Sequence, residues 1–134
     1  MGFIDTFLRY GLTRETLLIV LAEILAVVFA LVLHELAHGL IALLNGDNTA
    51  KLYGRLSVNP LRLFDIVGLA MMLLVGFGWA KPVPINPNNF KNRKVGAITV
   101  SVAGIVTNLL LAFLCAIGVA GLETIAVINP DSSL

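Results

Sequence analysis

Two stretches of the chain are almost free of polar residues, and the sequence between them is broken by glycine, proline and charge. The first runs from Leu17 to Leu33 with Glu23 as its one ionisable residue, and it continues through a short polar group to Leu44. As a helix, Leu17 to Leu44 would be ~42 Å long at 1.5 Å per residue, enough to cross a ~30 Å hydrocarbon core with some tilt. Thr13, with Glu15 in the first turn, is its predicted start, and Asn45-Gly46-Asp47-Asn48 has the chemistry of a helix end. The second stretch, from about Val95 to Leu122, has the same helical length of ~42 Å and is likewise long enough to span.

The flanking patterns are weaker. Residues 1 to 15 alternate Phe3, Ile4, Phe7 and Leu8 with Asp5, Thr6 and Arg9 at helical spacing, which predicts a short amphipathic helix at an interface. From Ala50 to Val58, the positions of Leu52, Leu56 and Val58 would share one side of an extended chain, which predicts one or two short strands and a small β-hairpin with Gly54 at the bend. Leu63 to Trp79 is apolar but short, carries Asp65 near its start, and contains Gly68, Gly76 and Gly78. The loop from Trp79 to Asn92 holds three prolines, which stiffen it into an extended path.

Charge placement bears on whether Leu63 to Trp79 crosses or returns. Of nine Lys and Arg, seven (Lys51, Arg55, Arg62, Lys81, Lys91, Arg93 and Lys94) fall between the two long helices, on both flanks of this stretch. A crossing would put them on opposite faces, against the positive-inside bias, whereas a re-entrant segment keeps all seven cytoplasmic. The re-entrant reading is favoured. The chain is therefore expected to be a single membrane-embedded domain over residues 1–134, all-α and multi-pass, with two long transmembrane helices, a re-entrant or short membrane segment and the small hairpin between them.

Composition supports a lipid bilayer as the principal surroundings. The chain is 58% hydrophobic and 13% charged, with a mean hydropathy of +0.95, where soluble domains carry about 25% charged residues. A net charge of +1 with no dense basic patch excludes nucleic acid as an expected partner. Cys115 is the one cysteine, which excludes an internal disulfide.

Candidate chemistry sits at the end of the first long helix. His34, Glu35, Leu36, Ala37 and His38 form the HExxH pattern. On a helix the two histidines lie one turn apart on one face, where both imidazoles can bind one Zn²⁺, and Glu35 lies about 100° round, able to act on water without being a ligand. On the second long helix Ala97, Ser101, Gly104 and Asn108 share a predicted face, with Asn108 a candidate for substrate contact or for packing between helices. Ionisable groups in an apolar helix each cost on the order of 2.5–3.5 kcal/mol, so such a cluster needs partners or a water-filled cavity.

HELAHG, then GRLSVNPLRLFDIVG, FGWAKPVPINPNNFKN and SVAGIVTNLLLAF, in that order over roughly residues 30 to 115, resemble the site-2 protease family of intramembrane zinc metalloproteases in its compact prokaryotic form. The resemblance implies that His34 and His38 bind zinc, that Glu35 is the general base, and that the site opens toward the cytoplasm of a prokaryotic cell membrane. It implies cleavage of transmembrane protein substrates. Two departures stand out. Ala103-Gly104-Ile105 replaces the family's usual Ala-Gly-Pro, and the Leu-Asp-Gly motif that carries the family's third ligand does not occur. Asp47 and Asp65 have ordinary capping roles to fill, Glu23 lies ~16 Å along the helix from His34, and Asp131 follows a helix leading to the other face. The expectation is thus the N-terminal part of a protease core, ending before its third ligand. Its rival is a non-catalytic relative or fragment that packs against partner helices.

Overall fold

A computed structural model describes residues 3–59, 65–75 and 77–128, among which helices are the only regular elements. They are α1 (Phe3–Tyr10), α2 (Arg14–Leu44), α3 (Thr49–Leu52), α4 (Ile66–Val75) and α5 (Arg93–Ile128), with a 3₁₀ turn at Pro87–Asn89. Arg62, Leu63, Phe64, Gly76 and Asp131 of the expectations above lie outside the described residues.

Local chemistry sets the bounds of α2. Thr13 is extended and its hydroxyl accepts the Thr16 N–H at 3.1 Å, satisfying one of the free donors of the first turn. At the other end Gly46 takes φ +104°, with Gly46 N–H donating to Leu43 and Asp47 N–H to Ala42 at 3.0 and 2.9 Å. That pairing is a Schellman motif, which closes the last carbonyls and turns the chain aside. Asn92 starts α5 by accepting the Lys94 and Val95 N–H groups, both at 3.1 Å.

α5 runs antiparallel to α2. The Asn45 side-chain amide donates both to Ile41 in its own helix and to Thr99 Oγ1 across the pair, at 2.8 and 3.1 Å. The docking face of α5 is Gly96, Val100 and Gly104, all buried at a spacing of four. Of the face expected from sequence, Gly104 is buried but Ala97, Ser101 and Asn108 are exposed. The stripe is rotated because Gly96 receives the Phe90 ring and Gly104 receives the histidines, while Ser101 bonds back to its own helix at Ala97.

Both long helices have the length and composition to cross a membrane, and only 17% and 6% of their most apolar windows are buried. A core helix of a soluble domain would be mostly covered, so what these helices present outward is apolar surface such as Leu25, Phe29, Leu109 and Phe113.

The expected hairpin is absent: no strand occurs among the described residues. Residues 49–52 instead make one helical turn, launched by Asp47 accepting the Thr49 N–H at 3.0 Å. It closes at Gly54, with Arg55 N–H on Ala50 O at 2.9 Å. The alternation of leucines misled because Leu52 and Val58 are exposed, 83% and 69%, leaving Leu56 alone to join Val32, Ala50 and Val83 in a small core.

α4 is ten residues long, about 15 Å and half a hydrocarbon core. Asp65 caps it, accepting the Val67 and Gly68 N–H groups at 2.9 and 3.2 Å. Gly68 is buried against the main chain of Trp79, so the chain leaving α4 comes back beside the helix's first turn. α1 packs on α4 and on the start of α2, where Leu74 faces Ile4, Phe7, Leu17 and Val20 across a cavity.

Candidate metal centre

The 3.6-residue period of α2 brings His34 and His38 onto one face, with ring centroids 4.7 Å apart and planes at 75°. Their Nε2 atoms face each other at 3.0 Å. His38 Nδ1 lies 2.7 Å from the Val100 carbonyl of α5. A carbonyl can only accept, so Nδ1 carries a proton, and in the neutral ring Nε2 of His38 then presents a lone pair. His34 Nδ1 is buried with no partner among the described residues.

This donor set fits a divalent ion of the zinc type. Two imidazole nitrogens 2.0–2.1 Å from a tetrahedral ion would stand about 3.3 Å apart, close to the observed separation, and a carbonyl behind one ring is the usual device that orients a metal-binding histidine. Gly104 supplies the room. A Cβ at that position would lie 2.6 Å from His38 Nε2 and collide with Cε1 and Nε2 of His34, so the space next to both nitrogens exists because residue 104 has no side chain. No third His, Cys, Asp or Glu joins the pair among the described residues.

Glu35 reaches the proline-rich loop. Its Oε2 accepts the Val83 N–H at 3.0 Å. Beside it a cavity of about 270 Å³ is lined by Glu35, His38, Pro82, Val83, Ile85, Val100 and Ser101, room for several waters at about 30 Å³ each.

The loop is itself tied down by Asp47, which is 0% exposed. Asp47 accepts the Asn86 N–H at 2.7 Å and the Asn89 side-chain amide at 2.8 Å, the Thr49 N–H at 3.0 Å and the Thr49 hydroxyl. Burial pushes its carboxyl upward, but the donors from Thr49, Asn86 and Asn89 together outweigh that and hold it below the ordinary carboxylate range. Lys91 N–H closes the loop's far end onto Asn45 O at 2.9 Å.

Of the other candidates, Asn108 is exposed one turn beyond Gly104 and its side chain hydrogen-bonds to no described residue, and Glu23 is exposed on α2. The Val100 carbonyl, the Val83 amide and the Gly104 gap escaped the sequence, since main-chain groups and missing atoms carry no residue-type signal. Asp47 offered one, a carboxylate just past a helix C-terminus, where it is unfavourable unless something else holds it.

The chain is 41% identical over 110 residues to a protein of Bacillus subtilis (strain 168) named "Putative zinc metalloprotease YwhC". The matched region is 82% of this chain and 48% of that protein, so the chain spans about half the length of the curated relative it matches. No family model matches the chain. No solved structure matches it.

Proposed function

We propose that the protein is an intramembrane zinc metalloprotease of the site-2 type, hydrolysing peptide bonds of membrane-spanning substrates at a site in the prokaryotic cell membrane that opens toward the cytoplasm. The observation that carries this reading is the Nε2 pair at 3.0 Å under the Gly104 gap, with Glu35 adjacent, on a helix apolar enough to span a bilayer. The name of the Bacillus subtilis relative supports the metal and the class of reaction. The turn-back of the chain at Gly68 and Trp79 supports a segment that enters and leaves on one face, which keeps the loop cations together.

His34 and His38 would hold the ion through Nε2, and no third His, Cys, Asp or Glu joins them among the described residues. Zinc bound there supplies Lewis acidity, polarising the scissile carbonyl and lowering the pKa of water toward about 7. Glu35 takes the proton of the attacking water and returns it to the leaving amine nitrogen. Its Oε2 is held by Val83, which leaves Oε1 free of described partners for that transfer. The cavity beside Glu35 gives water access to a site that the surrounding apolar helix would otherwise keep dry.

The test is cleavage of a membrane-spanning substrate by the zinc-loaded protein reconstituted in lipid vesicles. Hydrolysis that is lost on chelation and restored by zinc is expected. Hydrolysis that survives in both Glu35→Gln and His38→Ala would overturn the assignment.

A further inference from the structure

We infer that Asp47 is a positioning residue for Glu35, its buried carboxylate pinning the loop whose Val83 amide holds the catalytic group. This rests on the protease reading for the role of Glu35, while the mechanical link stands on geometry alone. Asp47 lies three residues past the last residue of α2, where the helix dipole disfavours negative charge, and the helix end is already closed by the Schellman bonds of Gly46 and Asp47 N–H. The helix has no use for the carboxylate. Among the described residues, two of its four bonds go to Thr49, and the other two go forward to the loop, to Asn86 N–H at 2.7 Å and the Asn89 amide at 2.8 Å.

The path from Asn86 back to Val83 is short and stiff. Pro84 fixes one φ within it, Pro82 and Pro87 fix φ on either side, and Ile85 packs against Ala42, Phe90 and Val100. Three residues of extended chain span about 10 Å, so a shift at Asn86 has little slack in which to dissipate before it reaches Val83. Within Pro82-Val83-Pro84 the valine has the one amide hydrogen, and Glu35 accepts it. Release of the clamp therefore frees the carboxylate from its single described donor.

Asp47→Asn is the sharpest variant, because the amide cannot accept from Asn86 N–H and from the Thr49–Asn89 group at once. The measurement is amide exchange of Val83 by NMR on the intact, lipid-reconstituted protein labelled with ¹⁵N-valine, alongside kcat, KM and zinc content. Glu35→Ala calibrates the exchange signal by removing the acceptor directly. For Asp47→Asn the expectation is faster Val83 exchange by about tenfold or more and a kcat lower by about tenfold to hundredfold, with KM and zinc content unchanged. Asn89→Ala should move the same readings less, and it carries the test if Asp47→Asn does not fold. Unchanged exchange at Val83, or faster exchange with unchanged kcat, overturns the inference. If the wild type cleaves nothing, the protease reading fails separately and the exchange alone decides whether Asp47 secures the carboxylate.

Discussion

Gly104 of α5 and His34 of α2 approach so closely that no methyl group fits between them. The contact makes the gap beside the two imidazole nitrogens a property of the helix pair, set where α5 docks through Gly96, Val100 and Gly104. Gly104→Ala should either force the helices apart or turn the His34 ring. The expected result is loss of zinc affinity by more than about tenfold and destabilisation of roughly 1–3 kcal/mol, the range for overpacking. Zinc titration and thermal unfolding of the detergent-solubilised protein measure both, and full zinc uptake at wild-type stability would contradict the assigned position of the ion.

His38→Ala and Glu35→Gln separate binding from chemistry. His38→Ala removes one Nε2 and the bond to Val100, so zinc and hydrolysis should both be lost. Glu35→Gln keeps both imidazoles and should bind zinc like the wild type while losing about 10²–10⁴-fold in rate, the usual contribution of a general base. Metal analysis of the two purified variants decides, and a zinc-free Glu35→Gln protein would mean that the carboxylate contributes to binding.

How much of this was legible in the sequence divides along physical lines. α2 and the two histidines followed from an apolar run with a capping threonine and a turn signal, because helical period fixes which side chains meet. The residues 50–58 were misjudged since leucine alternation is informative only where one side is covered, and Leu52 and Val58 face outward. The α5 face was rotated because small residues at helical spacing occur on two sides, and only the partner selects between Ser101 and Val100. Glu35's contact with Val83 spans 48 positions, a distance at which single-sequence patterns are silent.

Acid should weaken the protein partly through Asp47. Its carboxyl titrates lower in the folded chain than in the unfolded one, so its contribution is complete above the unfolded value near pH 4 and is lost as pH falls through the lower folded value. Thermal unfolding between pH 3 and 7 is expected to show a decline for the wild type that is shallower in Asp47→Asn. At pH 7 the variant should be less stable by on the order of 1–3 kcal/mol, since buried donors lose their acceptor. Parallel curves for the two proteins would show that Asp47 titrates alike in both states.

Gly46→Ala tests the turn that sends the chain from α2 toward the loop. The residue sits at φ +104°, where a Cβ would also stand 3.1 Å from the Asn89 carbonyl. A loss of about 1–2 kcal/mol is expected from the backbone conformation alone, read from thermal or denaturant unfolding. Wild-type stability would mean that the turn can relax to negative φ.

The Thr13 and Asn45 caps make α2 a ruler for its own chemistry. From His38 to the Asn45 cap is about 10 Å, while from His34 back to Arg14 is about 30 Å of helix. In a bilayer that α2 crosses, protons and water thus have a brief route on the loop side and an insulating wall on the other. A reactive ion held at that depth could exchange with one compartment without short-circuiting the two.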